Sequence, residues 1–273
     1  MSKGTIVTRL SGGLGTQMFQ YAFGRRISLE TGFTLKLDKS ETSSYGLDNF
    51  IIEENFADRL EIMKIKQKAL GGSHIREKSL IYDPELPVSI TKSGYIDGLW
   101  QNESYFKTVN TAIRADFAFK RDPVELNRAV AAEIFDVNSV AVHVRRGDFA
   151  EDMKMNVLHG TCPVAYYRKA AEYIEERVKA PNYFIFSDDP EWVKENLDFH
   201  DPAILISHNE YYPQDDLFLM SLCKHFIIAN SAFSWWGAWL SDFEGKFIVA
   251  PKQWYADPAY NNEFQLPKTW VRL

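Results

Sequence analysis

Two adjacent arginines follow a short apolar run in the second half of the chain, within the segment VHVRRGD at 142–148. A guanidinium is always charged and can hold two phosphate oxygens at once, so Arg145 and Arg146 predict an anion site. Because side chains alternate along a strand, His143 and Arg145 are expected on one face and Arg146 on the other. The alternative is a structural ion pair with Asp148, but one aspartate would not occupy both arginines.

Acidic residues follow a second apolar run, in the segment FSDDP at 186–190. Asp189 with Pro190 fits the N-cap and first position of a helix. Asp188 is then expected to point into a ligand cleft. A metal-binding aspartate pair is a third option, which the absence of histidine or further carboxylates at ligand spacing disfavours.

A serine-bearing turn follows a third apolar run, in the segment NSAFSWWG at 230–237. Backbone N–H groups and hydroxyls at a helix N-terminus form an anion site. The hydroxyls available to such an anion are those of Ser231 and Ser234. The alternative is plain capping of the helix by one of the two serines. The tryptophans at 235 and 236 fit a core better than a ligand platform.

A glycine-rich segment, SGGLGTQ, occupies residues 11–17. Gly13 and Gly15, with Asp38 ending the next strand, resemble a dinucleotide-binding fingerprint. Met18 stands where the third glycine would permit close helix packing, which disfavours an NAD site. The alternative is a loop whose backbone a ligand or the opposite domain approaches closely.

The elements that must position these groups are apolar runs alternating with helical segments. From residue 139 onward, strands are predicted at 139–144, 183–187, 203–207, 225–229 and 247–250, and helices at 163–179, 190–197, 215–223 and 233–241. This pattern predicts a parallel sheet covered on both faces. Ligands of such sheets bind beyond the carboxyl ends of the strands, so the three polar strand ends predict one diphosphate-binding edge.

The first half shows a looser α/β pattern. Strands are predicted at 5–10 and 34–37, helices at 17–30, 55–69 and 102–116, and an irregular stretch at 71–93. A boundary near 136–139 gives an N-terminal α/β domain at 1–136 and a C-terminal, diphosphate-binding α/β domain at 137–273. The predicted fold class is α/β, with two Rossmann-like domains facing a central cleft.

Composition limits the function classes. A chain of 273 residues suits two domains. A formal net charge of −6 argues against a broad nucleic-acid surface, so a polyanionic ligand must be small. Two cysteines, Cys162 and Cys223, fit reduced thiols. No signal peptide and no apolar run of about 20 residues is apparent, which predicts a cytoplasmic protein without a transmembrane segment.

With these residues in view, the chain resembles glycosyltransferase family 11, the α-1,2-fucosyltransferases. The matching segments, spread in the family's order over nearly the whole chain, are 12–22, 98–106, 143–148, 186–189 and 230–240. The resemblance implies a GT-B-like fold, with an acceptor-side domain at 1–136 and a domain that binds GDP-fucose at 137–273. It also implies inverting transfer of L-fucose from GDP-β-L-fucose to the 2-hydroxyl of a terminal β-galactoside, with no metal or other cofactor.

The resemblance also assigns roles to residues. Arg145 is expected to contact the β-phosphate and stabilise the departing GDP. His143 and Asp216 match positions that recognise guanine in related enzymes, although Asp216 equally fits a helix cap. Arg146 and Asp188 belong to the same donor site, with the turn at 231–234 cradling the phosphates. The glycine-loop residues expected near the reaction centre are Gly13, Gly15, Thr16 and Gln17.

The general base and the effect of one departure from the family stay open. Asp148 is the first candidate for the base, and Glu151 and Asp152 are weaker ones. Where the family's glycine loop reads Gly-Asn-Gln, this chain has Thr16. Threonine is β-branched and lacks the amide's donor and acceptor, which puts the acceptor geometry in question.

Three other functions remain as alternatives: fucosyl transfer to another linkage such as α-1,6, a nucleotide-dependent oxidoreductase, and a non-catalytic nucleotide- or sugar-binding protein. The expected partners are GDP-fucose and a galactose-terminated glycan, and not nucleic acid. If that glycan is lipid-linked, the protein would associate peripherally with a membrane.

Overall fold

Two compact units make up the chain in a computed structural model that describes residues 4–67, 72–121, 123–199, 202–261 and 266–273. The division follows Arg121, and Leu266 groups with the first unit. The helix Glu125–Asp136, which the predicted boundary assigns to the first domain, therefore belongs to the second unit. It packs against that unit's helix Pro213–Leu222 and strand Asn138–Val144, which explains its membership.

The first unit contains a four-stranded parallel sheet in the order β2-β1-β4-β3. Its strands are β1 (Thr5–Arg9), β2 (Thr34–Asp38), β3 (His74–Arg76) and β4 (Gly94–Asp97). Its helices are α1 (Leu14–Thr31), α2 (Arg59–Lys66), α3 (Glu85–Ser89) and α4 (Asn110–Asp116). The central strand β1 is apolar and buried, and Ile6 and Val7 are fully covered.

Helix α1 starts three residues earlier than predicted because two glycines shape its entry. Gly12 has φ +68°, in the left-handed region that glycine adopts without strain, and Gly13 is the extended N-cap. At the other end, Gly32 is left-handed and its N–H donates to the Ser28 carbonyl, as in a common helix C-cap.

The stretch predicted to be irregular contains β3 and α3, which the sequence pattern did not indicate. β3 is only three residues long and none is buried, so it carries no apolar signal. The helical signal at 102–116 resolves into two short 3-10 turns followed by α4. The signal at 55–69 corresponds to α2, and its last two residues lie outside the described part of the chain.

The second unit contains a six-stranded parallel sheet in the order β10-β9-β8-β5-β6-β7. Its strands are β5 (Asn138–Val144), β6 (Pro181–Ser187), β7 (Ala203–Ile206), β8 (His225–Ile227), β9 (Ile248–Ala250) and β10 (Val271–Arg272). Its helices are α5 (Glu125–Asp136), α6 (Gly147–Glu151), α7 (Met153–His159), α8 (Val164–Glu175), α9 (Pro190–Asn196), α10 (Pro213–Leu222) and α11 (Ala232–Leu240).

The five strands predicted from residue 139 onward are confirmed. Near-uniform burial makes β5, β6, β8 and β9 apolar runs, whereas β7 is fully buried only at Ile206. Trp235 and Trp236 are core residues, as predicted, and pack edge to face. Cys162 and Cys223 are buried free thiols. Within the described residues, no helix is both long and apolar enough to pass through a bilayer.

The register of this sheet explains why polar groups meet at one edge. β5 lies between β8 and β6, with Val144 beside Ser187 and Val142 beside Ile227. All three strands run in the same direction, so the chain leaves each of them on the same side of the sheet. The predicted convergence of the three strand ends within one sheet is confirmed.

Candidate functional site

Arg145 leaves the end of β5 between two carboxylates. Its Nη2 is 2.6 Å from Asp148 Oδ1, and its Nη1 is 2.8 Å from Asp188 Oδ2. Its guanidinium carbon lies 5.2 Å from the ring centre of Phe149. Both ends of the guanidinium fork are therefore held by protein carboxylates. Two of the five N–H donors face these carboxylates, which leaves up to three for a ligand.

Arg146 is held by the neighbouring strand end. Its Nε is 3.1 Å from Asp189 Oδ2, and its guanidinium lies over the Trp192 ring at 4.1 Å. Its backbone N–H donates to Asp188 Oδ1 at 2.8 Å. Asp189 is also the N-cap of α9, accepting from the Trp192 N–H, which confirms the predicted cap.

The charge balance at this edge differs from the sequence expectation. The sequence predicts one aspartate beside the two arginines, but three carboxylates surround them: Asp148, Asp188 and Asp189. The register that pairs β5 with β6 brings in the two additional aspartates. The structural ion-pair alternative thus holds for Asp148. A diphosphate would meet arginines that are already oriented and partly neutralised.

His143 lies just inside the same edge and is neutral. It is 6% exposed, and burial, aided by the nearby charge of Arg145, lowers its pKa to about 3. Its Nδ1 is buried without a hydrogen-bond partner among the described residues. The His143 and Phe233 rings are 5.4 Å apart, which joins the end of β5 to the N-terminus of α11. A buried imidazole nitrogen without a partner can accept or donate one bond to a ligand.

The turn after β8 combines capping with an accessible helix N-terminus. Ser231 is the N-cap of α11, and its side chain accepts from the Phe233 N–H at 3.3 Å. Ser234 is fully buried and donates to the Ala229 and Ser231 carbonyls. The capping alternative therefore holds for Ser231, and Ser234 serves the turn internally. Ala232 and Phe233 are partly exposed and present the first turn of the helix.

Asn230 ties this turn to two other loops. Its side-chain amide donates to the carbonyls of His159, Gly160 and Trp254 at 2.8–3.3 Å. Its oxygen accepts a long contact of 3.5 Å from Cys162 Sγ. The side chain is buried, so the amide acts within the protein and not on a ligand.

Asp216 is not the cap of α10, contrary to one of its two predicted roles. Tyr212 is the N-cap, with no side-chain cap bond, and Asp216 lies one turn into the helix. Its Oδ1 accepts from Asn209 Nδ2 at 2.9 Å. Burial raises the pKa of Asp216 to about 6. An ionised carboxylate in this setting favours a ligand that supplies N–H donors.

His159 is a residue of this region that the sequence did not indicate. Its ring stacks on Phe149 at 4.4 Å and 6°, and lies 5.6 Å from Tyr255. Burial lowers the pKa of His159, and its Nδ1 has no partner among the described residues. The Phe149 ring thus contacts both Arg145 and His159. Helices α6 and α7, which bring His159 here, were not predicted, so no sequence signal linked it to Arg145.

The weaker base candidates stay untested. The Asp152 N–H closes α6 by donating to the Asp148 carbonyl. The side chain of Glu151 lies outside the described residues. Across the described part of the chain, no three His, Cys, Asp or Glu side chains are placed to hold a metal ion, which also leaves the aspartate pair at 188–189 as arginine partners.

The glycine loop of the first unit is exposed at its tip and anchored beneath. A Cβ added to Gly13 would meet nothing within 4 Å, so the backbone there is open to approach. Gln17, 1% exposed, donates to the Gly12 and Ser44 carbonyls and accepts from the Gly46 N–H. Thr16 Oγ1 accepts from Gln101 Nε2 at 3.2 Å. Gln17 therefore shapes the loop from inside, while Gly13 and Thr16 are at its surface.

The structure disfavours a dinucleotide site at the glycine loop, because Asp38 is already engaged within the protein. Asp38 is buried, accepting from the Tyr95 hydroxyl at 2.6 Å and from the Ser40 N–H at 3.0 Å. These bonds lower its pKa against the effect of burial. Gly15 is buried in the first turn of α1, and Met18 is fully buried in the core. A carboxylate so occupied is not available to a ribose.

Comparison with known proteins decides the family. The family model described as "Glycosyl transferase family 11" matches residues 3–273. The chain belongs to glycosyltransferase family 11. Relatives of this family 11 enzyme include an Escherichia coli α-1,2-colitosyltransferase, 35% identical with 98% of each chain covered. The E. coli O-antigen biosynthesis glycosyltransferase WbnK is 30% identical, with 97% of this chain and 99% of its own covered.

A shorter match reaches a human relative, and two solved structures share the fold. Human galactoside α-(1,2)-fucosyltransferase 1 is 33% identical over 112 residues, which are 40% of this family 11 enzyme and 31% of the human protein. NodZ α-1,6-fucosyltransferase soaked with GDP-fucose superposes with TM-score 0.52 at 14% identity, covering 88% of this chain and 93% of its own. An Arabidopsis thaliana FUT1 mutant in complex with GDP superposes with TM-score 0.54 at 12% identity, and the match covers 97% of this chain and 76% of its own. The fold is thus that of GT-B-like fucosyltransferases.

Proposed function

We propose that this glycosyltransferase moves L-fucose from GDP-β-L-fucose to the 2-hydroxyl of a terminal β-galactoside, with inversion at the anomeric carbon. The observation that carries the proposal is the shared edge of the second sheet. There Arg145 and Arg146 follow directly after β5, and the His143–Phe233 contact of 5.4 Å brings the α11 N-terminus close to the same strand end. Guanidinium groups and helix N–H groups that converge in this way suit a diphosphate.

In the proposed reaction, the acceptor oxygen attacks the anomeric carbon as its bond to the GDP β-phosphate breaks. Arg145 donates to the β-phosphate and stabilises the charge that develops on GDP. Asp148 and Asp188 hold the guanidinium in place beforehand, so little reorganisation is needed during reaction. The positive charge comes from side chains and backbone dipoles, and the proposal requires no metal ion.

The guanine base is assigned to His143 and Asp216. Guanine presents N1–H and N2–H donors, which an ionised carboxylate accepts well, and Asp216 supplies one. His143 offers a neutral nitrogen that has no hydrogen-bond partner among the described residues. Arg146 supports the phosphates, and the first turn of α11 supplies N–H groups.

Asp148 is the proposed base for the acceptor 2-hydroxyl. Its side chain is 45% exposed, so a ligand can reach it, although Arg145 already contacts one of its oxygens. The same aspartate would thus position Arg145 and accept the acceptor proton. The facing of the two domains across a cleft, which would bring an acceptor to this aspartate, stays a prediction.

A second donor has a specific observation in its favour. The α-1,2-colitosyltransferase of E. coli matches over 98% of both chains, whereas the human fucosyltransferase matches over 40% of this one. Colitose is fucose without its 3-hydroxyl. GDP-colitose is therefore the competing donor within the same reaction. In either case we place the enzyme in the cytoplasm, acting on a soluble or lipid-linked glycan.

Incubation of the protein with GDP-fucose or GDP-colitose and a panel of β-galactosides, with GDP release as the readout, tests the proposal. We expect acceptor-dependent GDP release and an α-1,2 linkage in the product by NMR. An α-1,6 product would correct the linkage alone. Calorimetric binding of GDP without turnover would indicate a non-catalytic protein. Binding of NAD in place of GDP would contradict the proposal.

A further inference from the structure

A second charged pocket lies at the strand ends of the first unit. β1 ends at Arg9, β3 at Arg76 and β4 at Asp97, and Arg76 and Asp97 are register neighbours. These residues, with Ser11 and Glu77, line a cavity of about 260 Å³. None of them belongs to the donor site described above.

The charged side chains in this pocket form ion pairs with one another but keep hydrogen-bond donors for a ligand. Arg9 Nη1 is 2.8 Å from Asp97 Oδ1, and Arg9 Nη2 is 2.6 Å from Glu41. Asp97 Oδ2 is 3.0 Å from His74 Nε2 and 3.7 Å from Arg76 Nε. Arg9 Nε is buried without a hydrogen-bond partner among the described residues. The Arg76 side chain is 70% exposed, so most of its donors face solvent.

A partly buried carboxylate shapes the wall of the pocket. Glu77 accepts from the Leu99 N–H at 2.7 Å and from the Trp100 N–H at 3.2 Å. Burial raises the pKa of Glu77, despite these bonds. Trp100 has φ +57°, a left-handed conformation that is strained for a non-glycine residue. The segment 98–100 is therefore held in a strained shape by one carboxylate, a feature common at binding sites.

The pocket and the glycine loop form one connected surface. Gln20 Nε2 donates to the Gly98 carbonyl and to Ser11 Oγ, both at 2.9 Å. Its Oε1 accepts from the Ser11 N–H. Gln101 reaches Thr16 on the other side. A ligand ring in the pocket would thus lie next to the exposed backbone of the glycine loop, which is held in a fixed position relative to it.

The mixture of charges selects the chemistry of the ligand. Carboxylates at Asp97, Glu41 and Glu77 oppose an anion, and guanidiniums at Arg9 and Arg76 oppose a cation. Donors and acceptors side by side suit neighbouring hydroxyls of a neutral molecule. A volume just below the usual range of about 300–1,000 Å³ for ligand pockets suits one sugar ring.

We propose that this pocket binds the terminal hexose of the acceptor, with Asp97 and Arg76 contacting adjacent hydroxyls. The proposal deepens the proposed function and rests on it for the reaction, but sugar binding is measurable without transfer. Saturation-transfer NMR with methyl β-D-galactopyranoside, and acceptor KM with GDP-fucose, are the two readouts. Arg76→Ala is the main variant, because its exposed side chain contributes little to folding. Asp97→Asn is the second.

A matched control lies in the same unit. Arg59 is exposed and lines a separate, mainly apolar cavity of about 480 Å³ beside Lys39 and Lys66. We expect Arg76→Ala and Asp97→Asn to raise the acceptor KM, or to weaken sugar binding, by at least about tenfold. Arg59→Ala should leave both unchanged, and all three variants should keep the wild-type affinity for GDP.

The outcomes separate this inference from the proposed function. Loss of NMR signal in Arg76→Ala supports the pocket even if GDP-fucose is not the donor. Unchanged sugar binding and KM in Arg76→Ala overturn it, as does the absence of any sugar signal from the wild-type protein. An effect of Arg59→Ala alone would move the acceptor to the larger cavity and overturn it too. A melting temperature near wild type is required of each variant.

Discussion

The two parallel sheets end in the same residue types but differ in what surrounds them. At the end of β5, Arg145 and Arg146 lie near a neutral histidine, a helix N-terminus and three carboxylates. At the end of β1, Arg9 lies among carboxylates and a second guanidinium, with side-chain amides of Gln17 and Gln20 below. Helix N–H groups add positive potential that balanced ion pairs do not. Neighbouring groups, and not the arginine itself, thus favour a diphosphate at one edge and hydroxyls at the other.

Arg145→Ala is expected to cause the largest loss of activity among the variants of the two sheet edges. Removal of one preorganised donor at a developing negative charge costs about 10²–10³ in rate, so we expect kcat to fall by that factor. Steady-state GDP release measures it. Arg177→Ala is the control, since within the described residues its side chain contacts only the neighbouring Glu176 and the ring and carbonyl of Tyr173, at the protein surface. More than a tenth of wild-type activity in Arg145→Ala would refute the assignment.

Asp188→Asn tests whether the carboxylates at this edge orient the arginines. Asp188 contacts both the Arg145 side chain and the Arg146 backbone N–H. We expect kcat/KM to fall about tenfold, the size of one charge-assisted hydrogen bond. Asp189→Asn is the matched control, because asparagine is an equally good N-cap. It should lose less than about threefold, since it removes only a partly exposed ion pair. Equal losses in both variants would contradict an orienting role.

Asp216 gives a pH-dependent prediction. Its pKa of about 6 lies above the unfolded value near 4, so the folded protein binds the extra proton between these pH values. The aspartate therefore contributes stability at low pH that is lost as pH rises through 4 to 6. Asp216→Asn should raise stability at pH 7 by up to about 3 kcal/mol.

The same variant should bind GDP more weakly. In the wild type, GDP affinity should fall as pH drops below 6, because a protonated carboxylate accepts guanine N–H groups poorly. Denaturant melts and calorimetry between pH 5 and 8 measure both effects. GDP affinity in Asp216→Asn that matches wild type at pH 7 would remove Asp216 from the donor site.

Thr16→Asn is expected to have the smallest effect. Thr16 accepts from Gln101 at a position next to the exposed glycine backbone, and an asparagine oxygen can take that bond. We expect kcat to change by less than about threefold, as for a single solvent-accessible hydrogen bond. A rise of tenfold or more would instead show that the asparagine found in the family contributes directly to catalysis, and that this chain is impaired.

The same contrast explains what could be predicted from sequence. The strands of the second sheet are apolar runs, and each polar segment directly follows one, so the Arg145 edge was predictable. The three carboxylates around its arginines were not, because their number depends on the register between β5 and β6. His159 arrives on α7, which gave no periodic signal. In the first unit, β3 is short and half-buried, so the pocket at Arg76 and Asp97 had no counterpart in the sequence pattern.

The buried amide of Asn230 has a consequence for motion. Asn230 lies just before α11, and its side chain donates to the carbonyls of His159 and Gly160 at the end of α7. It also donates to the carbonyl of Trp254 in another loop. None of these three segments can open without leaving a buried amide unsatisfied. Their amide protons should therefore exchange with solvent at a common rate, as one cooperative opening unit. A nucleotide that protects one segment would slow exchange in the other two.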